Sequence, residues 1–110
     1  MTEQKLQNDV CKYLDLNNLL WCHVPNGGKR TKRSGRKMKL AGAKSGAPDC
    51  LIFERSGEYV GTAIELKVDD NDQSESQKQW QAKLVGRGWL YFVCRSLDEV
   101  IEIVNKHYNR

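Results

Sequence analysis

The spacing of apolar residues along the chain alternates between a helical period and short, strand-like runs. Leu6, Val10, Tyr13 and Leu14 recur at helical spacing and predict an N-terminal helix that Thr2 caps. Two later segments have a serine followed three residues on by glutamine or glutamate, the pattern of a capping box, and each precedes further apolar residues. They predict helices that begin after position 74 and after position 96.

Four apolar runs have the composition of β-strands. They occupy residues 20–24, 50–53, 59–64 and 89–94. Residues 55–58, which include Gly57, separate the second run from the third and predict a hairpin turn. The order of elements is therefore one helix, three strands, a helix, a strand and a terminal helix, which is typical of an α/β fold.

A chain of 110 residues, of which 39% are hydrophobic, is expected to form a single domain over residues 1–110. It lacks the run of about 20 apolar residues that a membrane span requires, and its polar N-terminus lacks the apolar region of a signal peptide. We therefore expect a cytoplasmic protein without membrane contact. Its four cysteines are scattered and form no CxxC pair, which favours reduced thiols over a structural zinc site.

The net charge of +4 is concentrated in one segment. Eight basic residues and no acidic residue lie between positions 29 and 44, namely Lys29, Arg30, Lys32, Arg33, Arg36, Lys37, Lys39 and Lys44. Without those eight, ten basic residues face fourteen acidic ones, so the rest of the chain carries −4. We expect residues 29–45 to form a long basic loop that contacts DNA. The alternative is a solvated loop whose charge only aids solubility.

Candidate chemistry lies at the ends of the predicted hairpin. Asp49 begins the strand run at 50–53, and Glu65 and Lys67 follow the run at 59–64. An antiparallel hairpin brings Asp49 beside Glu65, and side-chain alternation places Glu65 and Lys67 on one face. Two neighbouring carboxylates favour a divalent cation, and oxygen ligands suit Mg²⁺ or Mn²⁺. The alternatives are a turn residue at Asp49 and a structural ion pair between Glu65 and Lys67.

The pair Pro48 and Asp49, followed by Glu65 and Lys67, is the pattern of the PD-(D/E)xK nuclease superfamily. The chain resembles the VRR-NUC family (virus-type replication–repair nucleases) within it more closely. The residues that carry this resemblance are Glu3, Gln7, Asn26, Gly27, Gly28, Gly46, Pro48, Asp49, Glu65, Lys67, Ser74, Gln77, Trp80 and the strand at 89–93. The resemblance implies a restriction-endonuclease-like αβββαβ core, in which helices flank a mixed sheet, plus a C-terminal helix.

The resemblance also implies roles for individual residues at the site. Asp49 and Glu65 would bind Mg²⁺ or Mn²⁺, with help from the backbone carbonyl of Leu66. Lys67 would orient the attacking water or stabilise developing charge. Glu3 would be a further acidic contributor to the metal site, although its position also suits a carboxylate at a helix start.

Two other parts of the resemblance have equally simple structural explanations. Gln77 would lie near the scissile phosphate or the lysine, yet it is also the capping-box partner expected for Ser74. Asn26, Gly27 and Gly28 form either a plain turn or a close approach of the backbone to phosphate, for which glycine leaves room.

The resulting functional hypothesis is a metal-dependent, structure-selective DNA endonuclease similar to Holliday junction resolvases. By the same resemblance it would act as a homodimer, in a bacterial or phage-infected cell. The strand that contains Trp89 and Tyr91, or the last helix, is the candidate dimer face. The alternatives are a flap or restriction-like nuclease, a non-catalytic DNA-binding module, and a protein whose basic loop binds an acidic partner. The acidic stretch at 69–72 either repels DNA or contributes to a second cation site.

Overall fold

The computed structural model describes residues 1–25 and 32–108, with the side chains of residues 32–34 excepted. The elements in this part of the chain are α1 (Glu3–Leu16), β1 (Trp21–His23), α2 (Lys32–Leu40), β2 (Cys50–Ile52), β3 (Gly61–Leu66), α3 (Glu75–Val85), β4 (Trp89–Cys94) and α4 (Leu97–His107). Within these residues, none of the helices has the length and apolarity that a membrane crossing requires.

The four strands form one mixed sheet in the order β1-β2-β3-β4. β1 pairs with β2 and β2 with β3 in antiparallel fashion, whereas β3 and β4 are parallel. The parallel pair needs a crossover connection, which α3 supplies. The predicted hairpin turn is present, since Ser56 and Tyr59 exchange two backbone hydrogen bonds of 3.0 and 2.9 Å around Gly57. The mixed sheet flanked by helices confirms the expected fold class.

The apolar core lies between the sheet and the pair α1 and α4. Leu6, Val10 and Leu14 are fully buried, which confirms the apolar stripe predicted for α1. In β3, Ile64 and Leu66 belong to this core. Because side chains alternate along a strand, Glu65 between them faces the opposite side of the sheet, where α3 packs against β4.

The prediction of a loop over residues 29–45 is wrong for residues 32–40, which form α2. Lysine, arginine, methionine and leucine have high helix propensity, so the charge run does not oppose a helix. Gly42 ends it at a φ of +101°. The amide of Gly42 donates to the carbonyl of Lys39, and that of Ala43 donates to Met38, as in a Schellman motif. Gly42 therefore indicated the end of a helix, but the run of basic residues favoured the interpretation as a loop.

The segment between α2 and β2 carries Asp49 and is held closely against α3. Gly46 has a φ of +88°, a region that side chains rarely adopt. A Cβ at this position would lie 2.6 Å from the backbone carbonyl carbon of Ser76, in the first turn of α3. A glycine is therefore required both by the backbone angle and by the approach of the two segments.

Replacing Gly46 tests this close approach. We expect Gly46→Ala to lower the free energy of unfolding by about 3 kcal/mol, because it adds steric overlap to about 1–2 kcal/mol of left-handed strain. Gly42→Ala is the matched control, since Gly42 has a similar φ but no atom within 4 Å of the position that a Cβ would take. Its expected loss is about 1 kcal/mol. Equal losses in urea unfolding would contradict the packing described here.

Candidate functional site

The hairpin register brings Asp49 and Glu65 to the same place. Cys50 pairs with Ile64 across β2 and β3, so the preceding residue, Asp49, lies opposite Glu65. The Asp49 carboxylate also accepts a hydrogen bond of 2.6 Å from the backbone amide of Leu66. The two acidic side chains therefore meet at one end of the strand pair, as the hairpin geometry predicted.

Glu65 is the most constrained acidic side chain at this place, since its relative exposure is 0%. Its Oε1 accepts hydrogen bonds from the Tyr91 hydroxyl at 2.6 Å and from Gln73 Nε2 at 3.1 Å. Its Oε2 is buried and has no hydrogen-bond partner among the described residues. A buried carboxylate oxygen without a partner is costly, which makes this atom a candidate ligand for a cation.

Neither Tyr91 nor Gln73 was predicted from the sequence to belong to the acidic site. Tyr91 lies on β4 and pairs with Ala63, so it faces the same side of the sheet as Glu65. Burial, followed by the hydrogen bond to Glu65, raises the pKa of the Tyr91 hydroxyl, which therefore stays protonated as a donor. Gln73 also donates to Gln81 Oε1 at 2.9 Å and so links Glu65 to α3.

The surroundings of Asp49 shift its pKa in two opposing directions. Burial is the largest cause that raises the pKa of Asp49, and the negative charges of Glu3 and Glu65 raise it further. The hydrogen bond from the Leu66 amide acts in the other direction. Glu3 is exposed at the start of α1, yet its charge raises the pKa of Asp49. The N-terminus of α1 therefore contributes negative charge to the site.

The backbone of Asp49 is held by a second set of hydrogen bonds. Its carbonyl oxygen accepts from the amide of Val24 at 2.8 Å and lies 2.9 Å from His23 Nδ1. Gln7 Nε2 lies 3.1 Å from His23 Nε2. Because an amide nitrogen only donates, Nε2 is the acceptor and Nδ1 carries the proton. Gln7 and His23 thus support the position of Asp49, a role that the sequence pattern did not indicate.

Lys67 directly follows β3, and its backbone amide donates to the carbonyl of Cys94 at 3.0 Å. Its side chain is partly buried. In the part of the chain that the structure describes, no carboxylate forms an ion pair with it. The alternative of a structural ion pair between Glu65 and Lys67 is therefore wrong for the described side chains: Oε1 of Glu65 bonds to Tyr91 and Gln73, and Oε2 has no partner.

Gln77 forms the capping box expected from its spacing. Its Oε1 accepts from the amide of Ser74 at 2.7 Å, and the Ser74 hydroxyl accepts from the amide of Gln77 at 3.2 Å. The side-chain oxygen is thus engaged in the start of α3. Across the described residues, no group of three or more histidine, cysteine, aspartate or glutamate side chains is arranged to hold a metal ion. The acidic centre is a pair, Asp49 and Glu65.

Part of the predicted nucleic-acid-binding set can be placed. Arg36, Lys37 and Lys39 lie exposed on α2, and Lys44 is exposed in the segment that follows. Lys32 and Arg33 belong to α2 by their backbone, and their side chains are not described. Asn26, Gly27, Gly28, Lys29 and Arg30 lie outside the described residues.

The mixed sheet and its flanking helices, with paired carboxylates at one end of the hairpin, define a nuclease-like α/β fold. Residues 1–98 match the model of the VRR-NUC domain, and the chain belongs to this family. One similar solved structure is described as a VRR_NUC domain protein. It has a TM-score of 0.80 and 25% sequence identity, and the match covers 99% of this chain and 89% of that one. No curated protein matches the chain.

Family membership confirms a nuclease-like or DNA-binding module. Members of the family are generally nucleases, and such nucleases usually use divalent metals.

The support that Tyr91 gives to Glu65 can be measured as stability. Tyr91→Phe removes only the hydroxyl, and we expect a loss of about 1.5–3 kcal/mol, the range for a hydrogen bond to a charged group. Tyr59→Phe is the matched control, because Tyr59 is 45% exposed, and its change should stay within about 0.5 kcal/mol. Indistinguishable unfolding curves for the two variants would show that the hydroxyl does not stabilise Glu65.

Neutralising Asp49 tests the cost of placing these carboxylates together. Burial raises the pKa of Asp49 above the ordinary 3.8, so in EDTA the ionised group destabilises the fold at neutral pH. Asp49→Asn keeps an acceptor for the Leu66 amide and should melt at a higher temperature than the wild type. The difference should vanish below about pH 3.8, where the carboxyl is protonated in both the folded and the unfolded state, and should grow as pH rises through the raised pKa.

The exposed Asp70 provides the control for this experiment. Asp70→Asn should leave the melting temperature within about 1–2 °C of the wild type at every pH. A lower melting temperature for Asp49→Asn at neutral pH would mean that the carboxylate stabilises the metal-free fold.

Proposed function

We propose that this protein is a metal-dependent, structure-selective DNA endonuclease that hydrolyses phosphodiester bonds as a homodimer, in the manner of a Holliday junction resolvase. The observation that carries the proposal is the state of Glu65. This fully buried carboxylate has one oxygen bonded to Tyr91 and Gln73 and the other without a partner, beside a second carboxylate, Asp49. A structural acid would have both oxygens satisfied.

The donor set at this place fits a hard divalent cation. The carboxylates of Asp49 and Glu65 and the backbone carbonyl of Leu66 would hold it, with Glu3 as a further acidic contributor. All of these donors are oxygens, which suits Mg²⁺ or Mn²⁺ rather than zinc. When bound, the cation would polarise a phosphodiester oxygen and lower the pKa of a coordinated water.

The remaining steps fall to residues of this chain. The Lys67 ammonium, which has no carboxylate partner among the described residues, would orient the attacking water and offset the charge that develops on the phosphate. The water oxygen bonds to phosphorus and the bond to the 3′-oxygen breaks, which leaves a 5′-phosphate and a 3′-hydroxyl that receives a proton. Gln77 retains its side-chain amide hydrogens for substrate, since its oxygen is bound in the capping box.

DNA would be attracted by the exposed cations on and after α2. Arg36, Lys37, Lys39 and Lys44 are exposed, and Lys44 precedes Asp49 by only five residues. The basic segment therefore ends close in sequence to the acidic pair. If about five phosphates are neutralised, the logarithm of the binding constant should fall against log salt with a slope of about −4 to −5.

The homodimer is supported by apolar side chains at the turn end of the hairpin. Phe53, Tyr59 and Val60 are 46%, 45% and 41% exposed, and the rings of Phe53 and Trp89 pack in a T-shaped arrangement with centroids 6.0 Å apart. Tyr91, which had been a candidate for this face, is buried and bonded to Glu65 instead. A domain of this size offers little surface for reading bases, so we expect selectivity for DNA structure rather than for sequence.

The second candidate is a DNA-binding module without turnover. The orphaned oxygen of Glu65 disfavours it, because a buried negative charge beside Asp49 only opposes phosphate binding unless a cation is held there.

Cleavage of labelled DNA tests the proposal. Four-way junction, flap and linear duplex would each be incubated with Mg²⁺, Mn²⁺ or EDTA. We expect paired, symmetric nicks in the junction alone, which disappear in EDTA. Lys67→Ala should be slower by about 100-fold, because it removes one positioned charge from the transition state. Lys12→Ala, an exposed lysine on α1, is the matched control and should cleave like the wild type.

The other outcomes separate the alternatives. Cleavage of the flap or the duplex in preference to the junction would replace the resolvase assignment with a flap or restriction-like nuclease. Salt-sensitive binding with no cleavage of any substrate would leave a DNA-binding module. Sedimentation of the protein as a monomer at the assay concentration would refute the homodimer.

A further inference from the structure

A groove lies along one face of α3. Its volume is about 510 Å³, and it runs between α3 and the segment that contains Lys44 and Ser45. The charged residues of its lining are Lys44, Lys83 and Arg87, and none of the described residues that line it is acidic. Trp80 and Ser76 also line it.

The lining follows from the helical period of α3. Ser76, Trp80 and Lys83 are spaced four and three residues apart and so share one face of the helix. Lys78 lies about 200° around the helix from Ser76 and points elsewhere. Gln81 hydrogen-bonds to Gln73 on the side of the sheet that carries Glu65. One helix therefore presents one face to the acidic pair and another to the groove.

The walls of the groove are fixed rather than loosely opposed. Trp80 Nε1 donates to the carbonyl of Ser45 at 3.0 Å, and the hydroxyls of Ser45 and Ser76 are 3.4 Å apart. The Arg87 guanidinium donates to the backbone carbonyl of Lys83 at 2.9 Å, which holds the Arg87 side chain against the end of α3. Lys44 also lines a smaller cavity of about 300 Å³ beside Met38 of α2, so it connects α2 with the groove.

We propose that this groove binds the phosphodiester backbone of the DNA substrate, as a second contact track in addition to α2. The inference rests on the proposed function for the identity of the ligand. Three cations without an acidic neighbour in the lining match a polyanion, and the hydroxyl of Ser76 offers a hydrogen bond to phosphate. The segment that forms one wall, with Lys44 and Ser45, continues along the chain to Asp49, so the groove and the acidic pair share one structural segment.

The test measures DNA binding at increasing salt concentrations in EDTA, where no cleavage interferes. Fluorescence anisotropy reports the binding of labelled duplex and of labelled single-stranded DNA. Lys83→Ala should weaken binding and reduce the magnitude of the salt slope by about 1. Arg87→Gln should do the same. Lys78→Ala is the matched control, because it removes the same charge from the same helix outside the groove, and it should leave the slope unchanged. Melting curves verify that each variant is folded.

The outcomes distinguish this proposal from the function on which it rests. A reduced slope for Lys83→Ala and Arg87→Gln, but not for Lys78→Ala, supports the groove. An effect confined to single-stranded DNA assigns it to an unpaired strand. Equal slopes for all three variants, with wild-type protein that binds and cleaves DNA, would overturn the groove alone. Failure of the wild type to bind any DNA would overturn both.

Discussion

The carboxylate of Glu65 lies within β3, whose six residues are all buried, and protein groups replace the lost hydration of only one of its two oxygens. Glu65 needs donors on the α3 face of the sheet, and Tyr91 and Gln73 provide them to a single oxygen. This requirement links three distant parts of the chain. β4 must pair in parallel with β3 in the register that places Tyr91 beside Glu65, and Gln73 must lie just before α3. Stability alone favours an apolar residue at this position, so the cost is consistent with a functional demand on the other oxygen.

α3 links the support of Glu65 to the groove on the surface of the molecule. Its start is fixed by the capping box of Ser74 and Gln77, and Gly46 lets the segment before Asp49 pack directly on its first turn. A shift of the helix would move Gln81 on one face, which hydrogen-bonds to Gln73, and Trp80 on the other. The geometry of the acidic pair and that of the cationic groove are therefore coupled through one rigid element.

What the sequence could predict was local. The stripe of α1, the two serine caps and the hairpin depend on residues close together in the chain, and the juxtaposition of Asp49 with Glu65 follows from the hairpin. The partnership of Tyr91 with Glu65 could not be read in this way, because it depends on the register of a parallel pair across the α3 crossover. Gln73 lies in a polar connector, where nothing in the pattern distinguishes it from its neighbours.

The positive and negative charges of the described residues lie in different places, and this separation affects how DNA and a cation would bind. Cations are exposed on α2 and in the groove, whereas Asp49 and Glu65 place negative charge where a phosphate would have to enter. Coulomb attraction to the cations draws DNA to the surface, but the same interaction repels a phosphate from the acidic pair until that charge is balanced. Under the proposed function, affinity for DNA and occupation of the reacting position are thus separate requirements. The first is met by residues of the chain, and the second requires a cation between Asp49 and Glu65, with Lys67 adding its charge from the end of β3.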